Sequence, residues 1–115
     1  MQALELQKLK TVLNDFVAEC RNVFGDKLND VRLFGSYARG DYNEESDIDV
    51  MVIFNMSDAE VRKCRYDICR IAAMLELKYN VTISPILYGK EEYDMRKSFG
   101  FCRNVESEGV SQCVG

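Results

Sequence analysis

The run Asp47-Ile48-Asp49-Val50-Met51-Val52-Ile53-Phe54 constrains this 115-residue chain more than any other stretch. Its unbroken apolar half predicts a strand buried on both faces, because a half-exposed strand would alternate with polar residues. Two carboxylates at the mouth of such a strand repel each other and lose hydration, so they must face something that compensates them. Upstream, Asp30 to Phe34 reads as a second short strand that ends on Gly35-Ser36, and Tyr37-Ala38-Arg39 can form one helical turn before Gly40. Ten residues separate Ser36 from Asp47.

The remaining segments supply the frame. From Ala3 to Phe24 the apolar residues Leu6, Leu9, Leu13, Phe16, Val17, Cys20 and Val23 recur at helical spacing, and Gly25 stops the helix. Ser57 with Glu60 three residues on makes a capping box, followed by Val61, Cys64, Ile68, Ile71 and Leu75 on one helical face as far as about Lys78. Val81 to Leu87 is a third strand, and Pro85 assigns it to an edge or an irregular position. Glu91 to Lys97 reads as helical, Phe101 and Val105 face one side of a further turn or two, and Val110 to Val114 is strand-like. The expected fold is one α/β (α+β) domain spanning residues 1–115, with a small mixed sheet of three or four strands and helices packed on one face.

Asp47 and Asp49, two residues apart on a strand, are expected to project from the same side, separated by roughly 6.5–7 Å of rise. A hard divalent cation with oxygen ligands offsets their repulsion, which points to Mg²⁺ held by Asp47 and Asp49. In front of them Gly35 permits close backbone approach, Ser36 adds a hydroxyl donor, and the following turn directs N–H groups toward an anion. Metal-bridged phosphates beside two acids suit phosphoryl or nucleotidyl transfer, so a triphosphate substrate follows. Arg39 is read two ways with equal weight, as a phosphate ligand or as the partner of a surface acid such as Asp41.

Gly35-Ser36-Tyr37-Ala38-Arg39-Gly40 followed by Ser46-Asp47-Ile48-Asp49 resembles the minimal nucleotidyltransferases of the DNA polymerase β-like superfamily. Coarser similarity extends over most of the chain to a single-domain prokaryotic branch that is commonly half of a toxin–antitoxin pair. The resemblance implies a nucleotidyltransferase fold, with Asp47 and Asp49 as catalytic metal ligands and Gly35 and Ser36 on the triphosphate. It also implies an antitoxin that transfers AMP from ATP to a tyrosine of a small helical HEPN-type toxin. Active members of the superfamily usually place a third carboxylate on a neighbouring strand. Here Val81 to Leu87 has none, and Thr82 and Ser84 occupy the candidate face. The alternative is therefore an antitoxin that binds nucleotide, turns it over poorly and neutralises its partner by direct contact.

Bulk properties narrow the field further. A formal net charge of -4 lacks the basic footprint of a polynucleotide-binding protein. Five cysteines without a C-x-x-C pair, in a chain with no histidine, read as reduced and mostly buried thiols. Met1 to Lys10 lacks the apolar core of a signal peptide and no segment approaches membrane-spanning length, so a cytoplasmic protein is expected.

Overall fold

Leu9, Val12, Leu13, Phe16, Val17 and Cys20 form the buried face of the first helix, α1 (Leu6–Phe24). Leu6 and Val23, on the same predicted face, lie at its ends and are 64% and 40% exposed. The computed structural model describes residues 6–113, so the expected first turn at Ala3 and the strand end at Val114 lie outside the described residues. A 3₁₀ turn at Gly25–Lys27, entered through Gly25 at φ +56°, redirects the chain into β1 (Leu28–Phe34). Then follow α2 (Ser36–Arg39), β2 (Ile48–Phe54), α3 (Asp58–Lys63), α4 (Arg65–Tyr79), β3 (Ile83–Gly89), α5 (Lys90–Arg96), α6 (Gly100–Glu108) and β4 (Val110–Ser111).

The Ser57 capping box forms in both halves, with the Ser57 side chain accepting from the Glu60 N–H and the Glu60 carboxylate accepting from the Ser57 N–H. The single helix expected behind it is two. At Cys64 the N–H turns to the Val61 carbonyl at 2.9 Å, a tightened three-residue step that ends α3 before α4 begins. Across the break, Val61, Cys64, Ile68, Ile71 and Leu75 all stay buried.

The four strands run in the order β3-β2-β1-β4. β1 is antiparallel to both β2 and β4, while β2 and β3 are parallel and joined by the α3–α4 crossover. β3 is an edge strand, the first of the two placements that Pro85 left open, and the N–H of Ile83 donates to the Glu76 carboxylate at 2.9 Å.

Helices cover both faces of this sheet, which corrects the expectation of one. Val31, Leu33, Val50, Val52 and Phe54 pack with α1, α3 and α4, whereas Phe34, Met51 and Ile53 pack with Tyr93 of α5 and with Cys102 and Val105 of α6. The uninterrupted apolar run of β2 already demanded this, since alternate side chains of one strand serve both faces. Phe54 is fully buried and meets Phe24 edge to face, with ring centroids 5.0 Å apart.

Cys20, Cys64 and Cys102 are buried as small hydrophobes, and burial pushes the Cys20 thiol up to about 12. Cys69 is exposed because it lies on the outer side of α4. We expect Phe54→Ala to cost about 3–5 kcal/mol in urea denaturation followed by circular dichroism. Leu77→Ala, at a position 88% exposed, should stay within about 0.5 kcal/mol.

Candidate functional site

Strand pairing creates the site. In the β1–β2 ladder Phe34 lies opposite Asp49, so the turn that follows β1 and the acidic start of β2 meet at one sheet end. Asp49 shares its side of β2 with Met51 and Ile53, and therefore points to the face that α5 and α6 cover. Gly35 follows at φ +73° and ψ −155°, a conformation open to glycine and strained for other residues. A Cβ placed on Gly35 would lie 2.2 Å from Oδ2 of Asp49. The glycine is thus required for close packing of the turn against the carboxylate itself, a tighter constraint than the ligand access expected from sequence.

The Gly35 carbonyl accepts from the N–H groups of Ala38 at 3.1 Å and Arg39 at 3.0 Å, and Gly40 closes the turn with a 2.8 Å bond to the Ser36 carbonyl. The amides of Ser36 and Tyr37 at the head of α2 have no acceptor within the helix. Tyr37 is buried and stacks on Tyr42 at 4.5 Å, which anchors α2 to the loop between the two motifs.

A cleft of about 350 Å³ opens at this end. Gly35, Ser36, Arg39 and Asp49 line one side, Phe34 forms part of its apolar lining, and Phe101, Asn104, Val105 and Glu108 of α6 line the rest. The structure thereby brings together four of the five residues singled out in the sequence. The fifth, Asp47, differs from expectation: it is exposed, precedes β2 and is not among the cleft-lining residues. The β2–β3 ladder begins at Ile48 opposite Ile83, and the Ile48 N–H donates to the Thr82 carbonyl at 2.8 Å, so regular strand geometry stops before Asp47.

The two acids still sense each other. Burial holds the Asp49 carboxyl above the ordinary carboxylate range, the charge of Asp47 raises it further, and Arg39 partly offsets both. A half-buried carboxylate beside a second acid is a donor set that a hard divalent cation stabilises.

Arg39 makes the surface pair foreseen as one alternative, with Nε 3.3 Å from Asp41 Oδ2, and it lines the cleft as well. A second pair, Nη1 to Glu108 Oε2 at 3.4 Å, ties it to α6. Exposed pairs of this kind are weak, so an anionic ligand can displace them. Asn104 and Glu108 escaped the sequence reading. The spacing of 101, 104, 105 and 108 marks one helical stripe, but nothing local says that the stripe faces the glycine turn. Ser84 lies opposite Asp49 in the β2–β3 register, whereas Thr82 falls outside β3.

The family model described as "Nucleotidyltransferase domain" matches residues 13–109. The chain belongs to this nucleotidyltransferase family. Over 99 residues it is 43% identical to a Methanocaldococcus jannaschii protein provisionally named a protein adenylyltransferase, covering 86% of this chain and 93% of that protein. Among solved structures, a Sulfolobus solfataricus protein provisionally described as a nucleotidyltransferase aligns with a TM-score of 0.65 at 24% identity, covering 91% of this chain and 79% of the other. A toxin–antitoxin structure with AMP-PNP aligns with a TM-score of 0.54 at 20% identity over 86% of this chain and 70% of that one. These two likenesses support the nucleotidyltransferase fold. Among the described residues, no helix is long and apolar enough to cross a membrane.

The Asp49 shift gives a stability test. The folded state holds the Asp49 proton more tightly than the unfolded chain, so ionising Asp49 costs stability as pH rises through its raised value. Asp49→Asn removes that cost. In chelator at pH 7 its melting temperature should equal or exceed the wild-type value, and the gap should narrow on acidification through the carboxylate range. A lower melting temperature at pH 7 would contradict this account.

Proposed function

We propose that this nucleotidyltransferase domain binds Mg²⁺–ATP in the cleft and transfers AMP to a hydroxyl, a tyrosine of a HEPN-type toxin, so acting as an antitoxin in the cytoplasm. The observation that carries the reading is the direct packing of the Gly35 turn against Asp49, which sets an anion cradle beside a half-buried carboxylate. The adenylyltransferase name of the Methanocaldococcus relative supports the reaction class, and the toxin–antitoxin structure supports a protein partner.

In this reading Asp47 and Asp49 hold the cation, which when bound neutralises phosphate charge and polarises the phosphorus under attack. Ser36 donates its hydroxyl to a phosphate oxygen. Arg39 exchanges Asp41 and Glu108 for the triphosphate, whose larger negative charge outcompetes two exposed carboxylates. The acceptor oxygen bonds to the α-phosphorus, the bond to the bridging oxygen breaks, and pyrophosphate leaves with the electron pair. The hydroxyl proton passes to solvent water, because Ser84, facing Asp49 in register, cannot take it as a carboxylate would. That same observation favours a second reading, in which the 115-residue domain binds nucleotide, transfers AMP slowly and neutralises its partner by contact.

Calorimetry with ATP should show binding that depends on Mg²⁺ and disappears in Asp47→Asn and Asp49→Asn; undiminished affinity in either variant would count against the site. Transfer is read as radiolabelled AMP on a co-expressed partner. Ser84→Asp should raise that signal by up to about 10²-fold, because it restores a carboxylate beside Asp49. Thr82→Asp, outside the ladder, should leave it unchanged. Rapid wild-type transfer that Ser84→Asp reduces would exclude the weakened-enzyme reading.

A further inference from the structure

We propose that α6 is the base-recognition wall of the cleft, with Phe101 as the stacking platform for a purine and Asn104 as the reader of its polar edge. The inference rests on the nucleotide-binding reading above and adds to it the selection of the base.

The cleft combines two kinds of lining. Ser36, Arg39, Asp49, Asn104, Glu108 and the Gly35 backbone are polar, while Phe34, Phe101 and Val105 are apolar, and of these three only Phe101 is exposed. A nucleotide combines the same two characters, an anionic chain and a flat π system. Phe101 meets Phe34 edge to face, with centroids 5.4 Å apart and planes at 81°, yet it remains 45% exposed. A half-exposed aromatic ring beside a phosphate-sized cradle is covered well by a base, and base–aromatic stacking is sequence-tolerant and strong.

Phe101 and Asn104 lie one turn apart on the stripe of α6 that faces the cleft, and among the described residues the Asn104 side-chain amide has no hydrogen-bond partner. An amide offers an adjacent acceptor and donor, matching the amino N–H and ring nitrogen at the edge of adenine.

The wall is also fixed in place, as a recognition surface needs to be. Cys102 and Val105 are 3% and 1% exposed against the sheet. The Tyr93 hydroxyl donates to the Glu106 carboxylate, and Arg32 Nη2 donates to the Gly109 carbonyl at 3.1 Å. The C-terminal end of α6 is thereby bound to α5 and β1, and Cys102 and Val105 hold its middle to the sheet, so a ligand meets a preformed surface.

The test measures, with Mg²⁺ present, the affinities of ATP, CTP and inorganic tripolyphosphate for wild type and for Phe101→Ala, Phe101→Tyr and Asn104→Ala. Wild type should bind ATP about 10-fold or more tighter than tripolyphosphate. Phe101→Ala should weaken ATP about 10- to 100-fold while leaving tripolyphosphate affinity unchanged, and Phe101→Tyr should restore ATP binding. Asn104→Ala should narrow the preference for ATP over CTP by about 5-fold or more, again without change for tripolyphosphate. Equal wild-type affinities for ATP and tripolyphosphate would overturn the inference. So would undiminished ATP binding in Phe101→Ala, or a loss of both ligands that Phe101→Tyr does not restore, which would make the ring a prop for the fold. Wild type that binds neither ligand would overturn the nucleotide-binding reading along with it.

Discussion

The antiparallel pairing of β1 with β2 is the interaction on which the rest of the molecule depends. It puts Phe34 opposite Asp49 and so joins two segments that the sequence separates by ten residues between Ser36 and Asp47. A slip of one residue would turn Asp49 into the larger core and deliver Val50 to the cleft. The register is held because β2 is apolar on both faces, with Ile48, Val50, Val52 and Phe54 on one side and Met51 and Ile53 on the other. Gly35 adds a check of its own, since only a residue without Cβ fits against the carboxylate in that register.

Charge at the site is arranged against folding. Asp49 bears a desolvation cost and the repulsion of Asp47, while Arg39, whose charge partly offsets both, is shared with two competing acids on the rim. A protein selected for stability alone would place an apolar residue at the mouth of β2, as it does everywhere else along that strand. Groups whose environment opposes their charged state cluster where a ligand later supplies the missing charge.

Much of the frame was legible from local pattern. The period of α1, the stop at Gly25, the Ser57 cap and the edge placement of Pro85 each follow from constraints within a few residues. Features set by distant partners were not legible. That the second face is covered was legible in β2, but which helices cover it depends on where α5 and α6 dock, and Asp47 leaves the ladder because β3 supplies its first partner at Ile48. The cleft wall is the clearest case: Asn104 and Glu108 look like ordinary solvent-facing positions of a short amphipathic helix until α6 lies across the Gly35 turn. Arg39 lay between the two classes, since its bond to Asp41 is local and its bond to Glu108 spans sixty-nine residues.

The outer border of the sheet has a consequence for how the molecule meets other chains. An exposed strand presents a row of backbone donors on which a second chain can grow more sheet, the route to domain exchange and fibrils. Along β3 the Ile83 donor is already taken by the Glu76 carboxylate, and two residues on Pro85 has no donor to give. With adjacent positions of that ladder closed, the border is a poor template for strand addition. At this border, contact with another protein falls to side chains, where it can be read by shape and charge rather than by the generic hydrogen bonding of peptide groups.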